Sequence, residues 1–215
     1  MILETLAVGP FQSNCYIVGD SNTKQSLVID PGAEFERIWD KIVKLNLNVE
    51  KIVLTHAHGD HIGAVRELVE KTKPQLLLHQ DDYPLLINPK QNLSDVYGFP
   101  ISVQTAARFL KENDQVVCGD IALRVIHTPG HTPGGICLIG EKILFSGDTL
   151  FHGSIGRTDF NYSSLEKLLE AIEHKILNLE DDTKIYPGHG PASTLGWERD
   201  NNPFLQKSFL SQYRA

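Results

Sequence analysis

The chain is organised around Val49-Glu50-Lys51-Ile52-Val53-Leu54-Thr55-His56-Ala57-His58-Gly59-Asp60-His61-Ile62. Val49–Leu54 reads as a strand, and Ile62–Lys71 as a helix with Ile62, Val65 and Val69 on one face. Between them, three imidazoles and a carboxylate fall within the six positions 56–61. On an extended backbone His56 and His58 point the same way, because side chains alternate with a period of two. The small Ala57 and Gly59 permit a tight turn that carries Asp60 and His61 round to the same pocket. Imidazole and carboxylate are the ligands that zinc, iron and manganese take.

Three more residues repeat the setting of a strand end followed by a Gly- or Pro-rich turn. They are His131 in Thr128-Pro129-Gly130-His131-Thr132, Asp148 in Phe145-Ser146-Gly147-Asp148-Thr149, and His189 in Tyr186-Pro187-Gly188-His189-Gly190. Rigid strands fix the loop residues that follow them, so such positions suit a site. The seven candidates exceed the four or so protein groups around one zinc. Two ions with three private ligands each and one shared carboxylate use them all. Such a pair, roughly 3.5–4 Å apart, holds a hydroxide ready to attack an acyl or phosphoryl centre. Two dications also bring the formal charge from −7 to −3 and make the pocket attractive to anions.

Outside these motifs, Gln12–Val18 and Gln25–Asp30 read as strands, the second ending in Asp30-Pro31-Gly32. Phe35, Ile38, Trp39, Ile42, Val43 and Leu45 carry helical spacing. Gln75–His79, Ala122–Ile126, Gly135–Ile139 and Lys142–Phe145 complete the expected strands. A helix is expected over Ser163–Leu177, opened by the capping box Ser163-Ser164-Leu165-Glu166. Asn88–Pro100, with an exposed-looking Asn92, reads as a long loop that could cover a site. Interleaved strands and helices with several short connections predict one α/β domain over residues 1–215, with mixed sheets.

Composition narrows the function. The 215 residues are 41% hydrophobic and 22% charged, as in ordinary globular proteins, with no apolar run long enough to span a bilayer and no secretory signal. Three cysteines (Cys15, Cys118, Cys137) without C-x-x-C spacing predict a reducing cytoplasm. A charge of −7 without a basic cluster argues against nucleic acid or anionic membrane as partners. The oligomeric state is not encoded in any of these features.

Thr55–His61, the later His131, Asp148 and His189, and the opening Val28-Ile29-Asp30-Pro31-Gly32 together resemble the metallo-β-lactamase superfamily. Gly147–Phe160 and Tyr186–Leu205 are most similar to its small glyoxalase II-like hydrolases. The resemblance implies an αβ/βα sandwich, two mixed β-sheets flanked by helices, with the site along one edge. It implies two divalent ions, zinc foremost and iron or manganese as alternatives. His56, His58 and His131 would hold the first, Asp60, His61 and His189 the second, and Asp148 would bridge.

Asp30 would steady a ligand, since ligating imidazoles donate their other N–H to an acceptor. Asp60 would orient the nucleophile or accept its proton. Arg157 falls where glyoxalase II enzymes contact glutathione, which implies a small anionic thioester or ester substrate, although Arg157 and Asp159 could equally pair only with each other. Where those enzymes carry a tyrosine, Asp159 stands, and the chain ends before their helical C-terminal region. Asp148 stands where true β-lactamases usually place a cysteine, which argues against antibiotic hydrolysis. A mononuclear iron persulfide dioxygenase, using His56, His131 and Asp148, is the competing expectation, and a non-catalytic metal-binding module is a third.

Overall fold

In a computed structural model that describes residues 1–211, two six-stranded sheets lie face to face. The first is built in sequence order from β1 (Ile2–Val8), β2 (Ser13–Gly19), β3 (Gln25–Ile29), β4 (Asn48–Val53), β5 (Gln75–His79) and β6 (Ala107–Leu110). β1–β2–β3 form an antiparallel meander, and β3 to β6 run parallel. Those parallel pairs need crossovers, and the longer ones carry α1 (Phe35–Lys44), α2 (Gly59–Ile62), α3 (Val65–Thr72) and α4 (Tyr83–Ile87).

The second sheet begins with the antiparallel run β7 (Gln115–Cys118), β8 (Ile121–His127), β9 (Ile136–Gly140) and β10 (Ile143–Gly147). A short ribbon, β11 (Leu150–Phe151) and β12 (Ser154–Ile155), then leads to α5 (Leu165–Ala171), which continues as a wider π-type turn over Ile172–Ile176. β13 (Lys184–Pro187) pairs parallel to β10, β14 (Ser193–Thr194) forms the edge, and α6 (Leu195–Asn201) and α7 (Lys207–Leu210) follow.

Strand alternation makes this a sandwich. Along β2, Cys15 and Ile17 face α1–α4 while Tyr16 and Val18 face the other sheet. On β10, Phe145 enters the inter-sheet core and Leu144 packs under α5. The inner strands of both sheets are therefore buried on both faces, with helices outside. The expected mixed αβ/βα sandwich is the observed fold.

Five local expectations are corrected. The helix over Ile62–Lys71 is broken at Gly63-Ala64, whose N–H groups donate to Gly32 and Pro31 carbonyls instead of continuing the helix. Val65 and Leu68 are the fully buried residues of α3, and Val69 is only half-buried. The helix cap is Ser164, whose Oγ accepts from Lys167 N, one residue later than the capping box placed it. Asn92 is fully buried: its Nδ2 donates to the Leu85 and Ile101 carbonyls, and its Oδ1 accepts from Ser94 N and Oγ. Val43, placed on the buried stripe of α1, is 57% exposed. No helix of the described residues is long and apolar enough to cross a membrane.

Candidate metal centre

All seven candidates come to one edge of the sandwich from the ends of β4, β8, β10 and β13. His56 and His58 follow β4, and His58, in extended backbone, starts α2, whose first turn presents Asp60 and His61. His131, Asp148 and His189 follow β8, β10 and β13. Glycine is required where Asp148 is received: a Cβ on Gly188 would overlap Asp148 Oδ1, and one on Gly147 (φ +48°) would overlap Thr55 Oγ1.

Hydrogen bonds on the far side of each ring fix its tautomer. His131 Nδ1–H donates to Arg157 O at 2.8 Å, His189 Nδ1–H to Phe11 O at 3.1 Å, and His61 Nδ1–H to Asp30 Oδ2 at 3.1 Å. Thr55 Oγ1 gives its proton to Asp30 Oδ2 at 2.5 Å, so it accepts from His56 Nδ1–H at 3.2 Å. Tyr162 OH donates to Gln91 O at 2.9 Å, so it accepts from His58 Nε2–H at 2.8 Å. Every imidazole thus turns its other ring nitrogen inward, the one that a cation would take.

Two clusters result. His56, His58 and His131 form one, with His58 Nδ1 and His131 Nε2 only 2.9 Å apart. Asp60, His61 and His189 form the other, with His61 Nε2 3.2 Å from His189 Nε2. Between them Asp148 Oδ2 lies 3.5 Å from His131 Nε2 and 3.6 Å from His189 Nε2, and Oδ1 lies 3.5 Å from His61 Nε2. His56 Nε2 and Asp148 Oδ1 are buried without any hydrogen-bond partner among the described residues. Burial, and then repulsion among the rings, pushes His56 and His58 well below the ordinary histidine range, and burial lowers His131 as well. Neutral lone pairs 2.9 Å apart repel each other, and a cation between them resolves the conflict. The donor set fits two metal ions.

The second cluster holds more charge. Burial works against protonated His61, but Asp60, Asp148 and Asp30 outweigh it and lift His61 to about 10. Burial also opposes ionised Asp60, yet the facing His61 and His189 hold it well below the ordinary carboxylate range. A metal-free centre therefore keeps a proton where a cation would sit.

Asp30 lies behind the second cluster. Besides holding His61 and Thr55 Oγ1, it accepts Thr55 N at 2.7 Å, from a left-handed backbone (φ +50°) that aspartate tolerates. Arg157 and Asp159 form an exposed two-pronged ion pair, at 3.0 and 2.8 Å, near His131. His79 stacks on His127 at 4.0 Å, and His127 Nε2 pairs with Pro133 O; with Asp81 they make a separate, half-exposed group. His152 stacks on Trp197.

Two residues that sequence reasoning missed hold the loops. Fully buried Asp82 accepts from Ala57 N at 3.0 Å, Thr132 Oγ1 at 2.9 Å and Gly134 N at 2.6 Å, tying the His56–His58 turn to the His131 turn. Tyr162 orients His58. Neither had a sequence signal: Asp82 is the second of two adjacent aspartates, and its neighbour Asp81 is exposed.

This fold and donor set define a metallo-hydrolase of the two-cluster kind, and the family comparison agrees. The chain belongs to the metallo-beta-lactamase superfamily, whose model matches residues 8–189. It is 36% identical over 209 residues to hydroxyacylglutathione hydrolase GloC of Haemophilus influenzae, covering 95% of this chain and 98% of that protein. It is also 36% identical to the probable metallo-hydrolase YqgX of Bacillus subtilis, covering 93% of this chain and 95% of the relative. Among solved structures, the BLEG-1 B3 metallo-beta-lactamase superimposes with a TM-score of 0.90 at 37% identity, over 95% of this chain and all of that one. TTHA1623 in a di-iron-bound form gives 0.84 at 36% identity, over 94% and 100%.

Proposed function

We propose that the chain is a dinuclear metal-dependent hydrolase that cleaves a thioester of the S-lactoylglutathione type, or a related ester. The observation that carries this is the convergence of inward-facing ligand atoms from two triads on the two oxygens of Asp148. His56, His58 and His131 would hold one ion, and Asp60, His61 and His189 the other. Two such ions, when bound, supply a Lewis-acidic centre and lower the pKa of water toward neutrality. In the reaction, water oxygen bonds to the carbonyl carbon, the C–S or C–O bond breaks, and the leaving group departs with a proton. We assign to Asp60, ionised and half-buried beside His189, the role of taking the proton from the attacking water at Oδ2, which lies 3.2 Å from His189 Nε2.

The thioester assignment draws on the GloC relative, and the di-iron neighbour makes iron a candidate beside zinc and manganese. The intact second triad weighs toward two ions and away from a mononuclear iron dioxygenase. We take the partner to be a small anionic thioester or ester, not nucleic acid or membrane. Three buried free thiols suit the cytoplasm.

Elemental analysis of purified protein should give two divalent ions per chain. Chelation should abolish, and metal should restore, hydrolysis across a panel of thioesters, lactones and phosphodiesters. A β-lactam belongs in the panel because of the BLEG-1 neighbour. One iron per chain with oxygen uptake on a persulfide would replace this reading with the dioxygenase one. Asp60→Asn should lower kcat by about a hundredfold or more with both ions retained. Loss of metal in that variant would leave Asp60 a ligand only.

A further inference from the structure

Beside the second triad lies a groove of about 480 Å3, within the range of small-ligand sites. Its walls come from four places: the β1–β2 turn (Phe11), the segment after β3 (Ala33), the first turn of α2 (Gly59 and Asp60), and the loop after α4 (Tyr97, Phe99, Ile101). The groove reaches the second triad at Asp60, which lines it. Its Phe11 wall is also fixed to that centre, since Phe11 O receives His189 Nδ1–H. The loop wall is fixed by buried Asn92, whose carbonyl accepts Gly59 N at 2.8 Å.

Three aromatic rings stand open at this mouth. Phe11 is 42% exposed, Tyr97 41% and Phe99 70%, with the Phe11 and Tyr97 rings 4.4 Å apart. Clustered exposed rings beside a reactive centre mark a place for an apolar partner. The charges say what it excludes. None of the lining residues is cationic, and the two acidic ones are Asp60 and Glu34, the latter already holding Gly9 N and Arg37. A carboxylate- or phosphate-bearing arm has nothing to pair with here. The opposite side of the centre, at His58 and His131, is where Arg157, Asp159 and Tyr162 lie.

We infer that the groove receives the acyl group of the substrate, and that this group is an apolar chain or ring larger than lactoyl. The inference rests on the ester hydrolase reading. The polar carrier half of the molecule then lies toward Arg157, and the scissile carbonyl between the two regions, over Asp148.

The test is calorimetric titration of the metal-loaded full chain with acetate, hexanoate and octanoate, which share a head group and differ in the apolar chain. Affinity should rise about twofold to fourfold per methylene until the groove is filled. Octanoate should therefore bind at least about tenfold tighter than acetate. Tyr97→Ser/Phe99→Ser should remove most of that gain while acetate affinity holds; Phe99→Ser alone, at the most exposed ring, serves if the double variant misfolds. Equal affinity for acetate and octanoate, or a gain that survives the substitutions, overturns the groove assignment.

Thioesters of one thiol, from acetyl to octanoyl, should show kcat/KM rising in the same order. Turnover indifferent to chain length would overturn the groove assignment and leave the hydrolase reading standing. A chain-length gain in binding with no turnover of any ester would do the reverse.

Discussion

Replacing Asp148 by alanine should strip metal from both halves of the centre and lower hydrolysis by roughly a thousandfold or more, on the order of 4 kcal/mol in the barrier. The reason is charge. His56, His58 and His131 are all held neutral, so the first proposed ion has Asp148 Oδ2 as its anionic atom, 3.9 Å from His56 Nε2 and 3.5 Å from His131 Nε2. The second ion would keep Asp60, but it would face the first without the carboxylate that lies between them. Elemental analysis should return one ion per chain or fewer. Asp148→Asn, which keeps an oxygen and loses the charge, should fall between the variant and wild type.

Metal-free protein should respond quite differently. Asp148 Oδ1 is buried without a hydrogen bond, and His61 keeps Asp60 and Asp30 when Asp148 is gone. The melting temperature of chelated Asp148→Ala should therefore stay within a few degrees of chelated wild type. Two ions per chain in the alanine variant, with turnover intact, would end the bridging assignment.

That contrast bears on what a sequence can disclose. The seven site residues were legible because their chemistry is rare and their settings repeat: each follows a strand, and most sit beside glycine. The two-sheet sandwich was legible through the resemblance, and through strands such as β3 and β5, whose apolar runs announce burial on both faces. Other features depend on contacts far away in the chain. Nothing within Ile62–Lys71 signals a break at Gly63-Ala64, because the groups that cause it are the carbonyls of Pro31 and Gly32.

The edge strand β1 went unread because its Ile-Leu-Glu-Thr-Leu-Ala-Val run is largely half-exposed and lacks a clean alternation. β6 and β7 are four residues each, too short for periodicity to show. Asn92 sits among loop-forming residues and reads as surface. It is buried because its own loop supplies partners for both ends of its amide.

Asp82 is the extreme of this class, and it carries the larger stability prediction. Asp82→Ala should destabilise the fold by about 3–5 kcal/mol, because it leaves Ala57 N, Gly134 N and Thr132 Oγ1 buried without an acceptor. For a chain of this size that is a fall of roughly 10 °C in melting temperature. Burial lifts the Asp82 carboxyl to about 6, and the three donors keep it from rising further.

The sign of the pH effect follows. A folded value above the ordinary 3.8 means that the proton-linked stability is fully present below about pH 4 and is lost as the pH rises through 6. Asp82→Asn cannot ionise and escapes that loss. Its deficit against wild type should therefore narrow between pH 4 and pH 7 in paired denaturant titrations. A deficit that widens would mean that the ionised carboxylate is the form the native state prefers.

Asp82→Ala also reports on the centre. Ala57 lies between His56 and His58, and Thr132 follows His131, so freeing both turns should weaken the first proposed ion by about tenfold to a hundredfold. Asp60, His61 and His189 hang from other contacts and should keep theirs. Competitive chelator titration that finds both ions weakened equally would make Asp82 a residue of general stability alone. Selective loss from the His56, His58 and His131 cluster would make it the residue that sets those three rings.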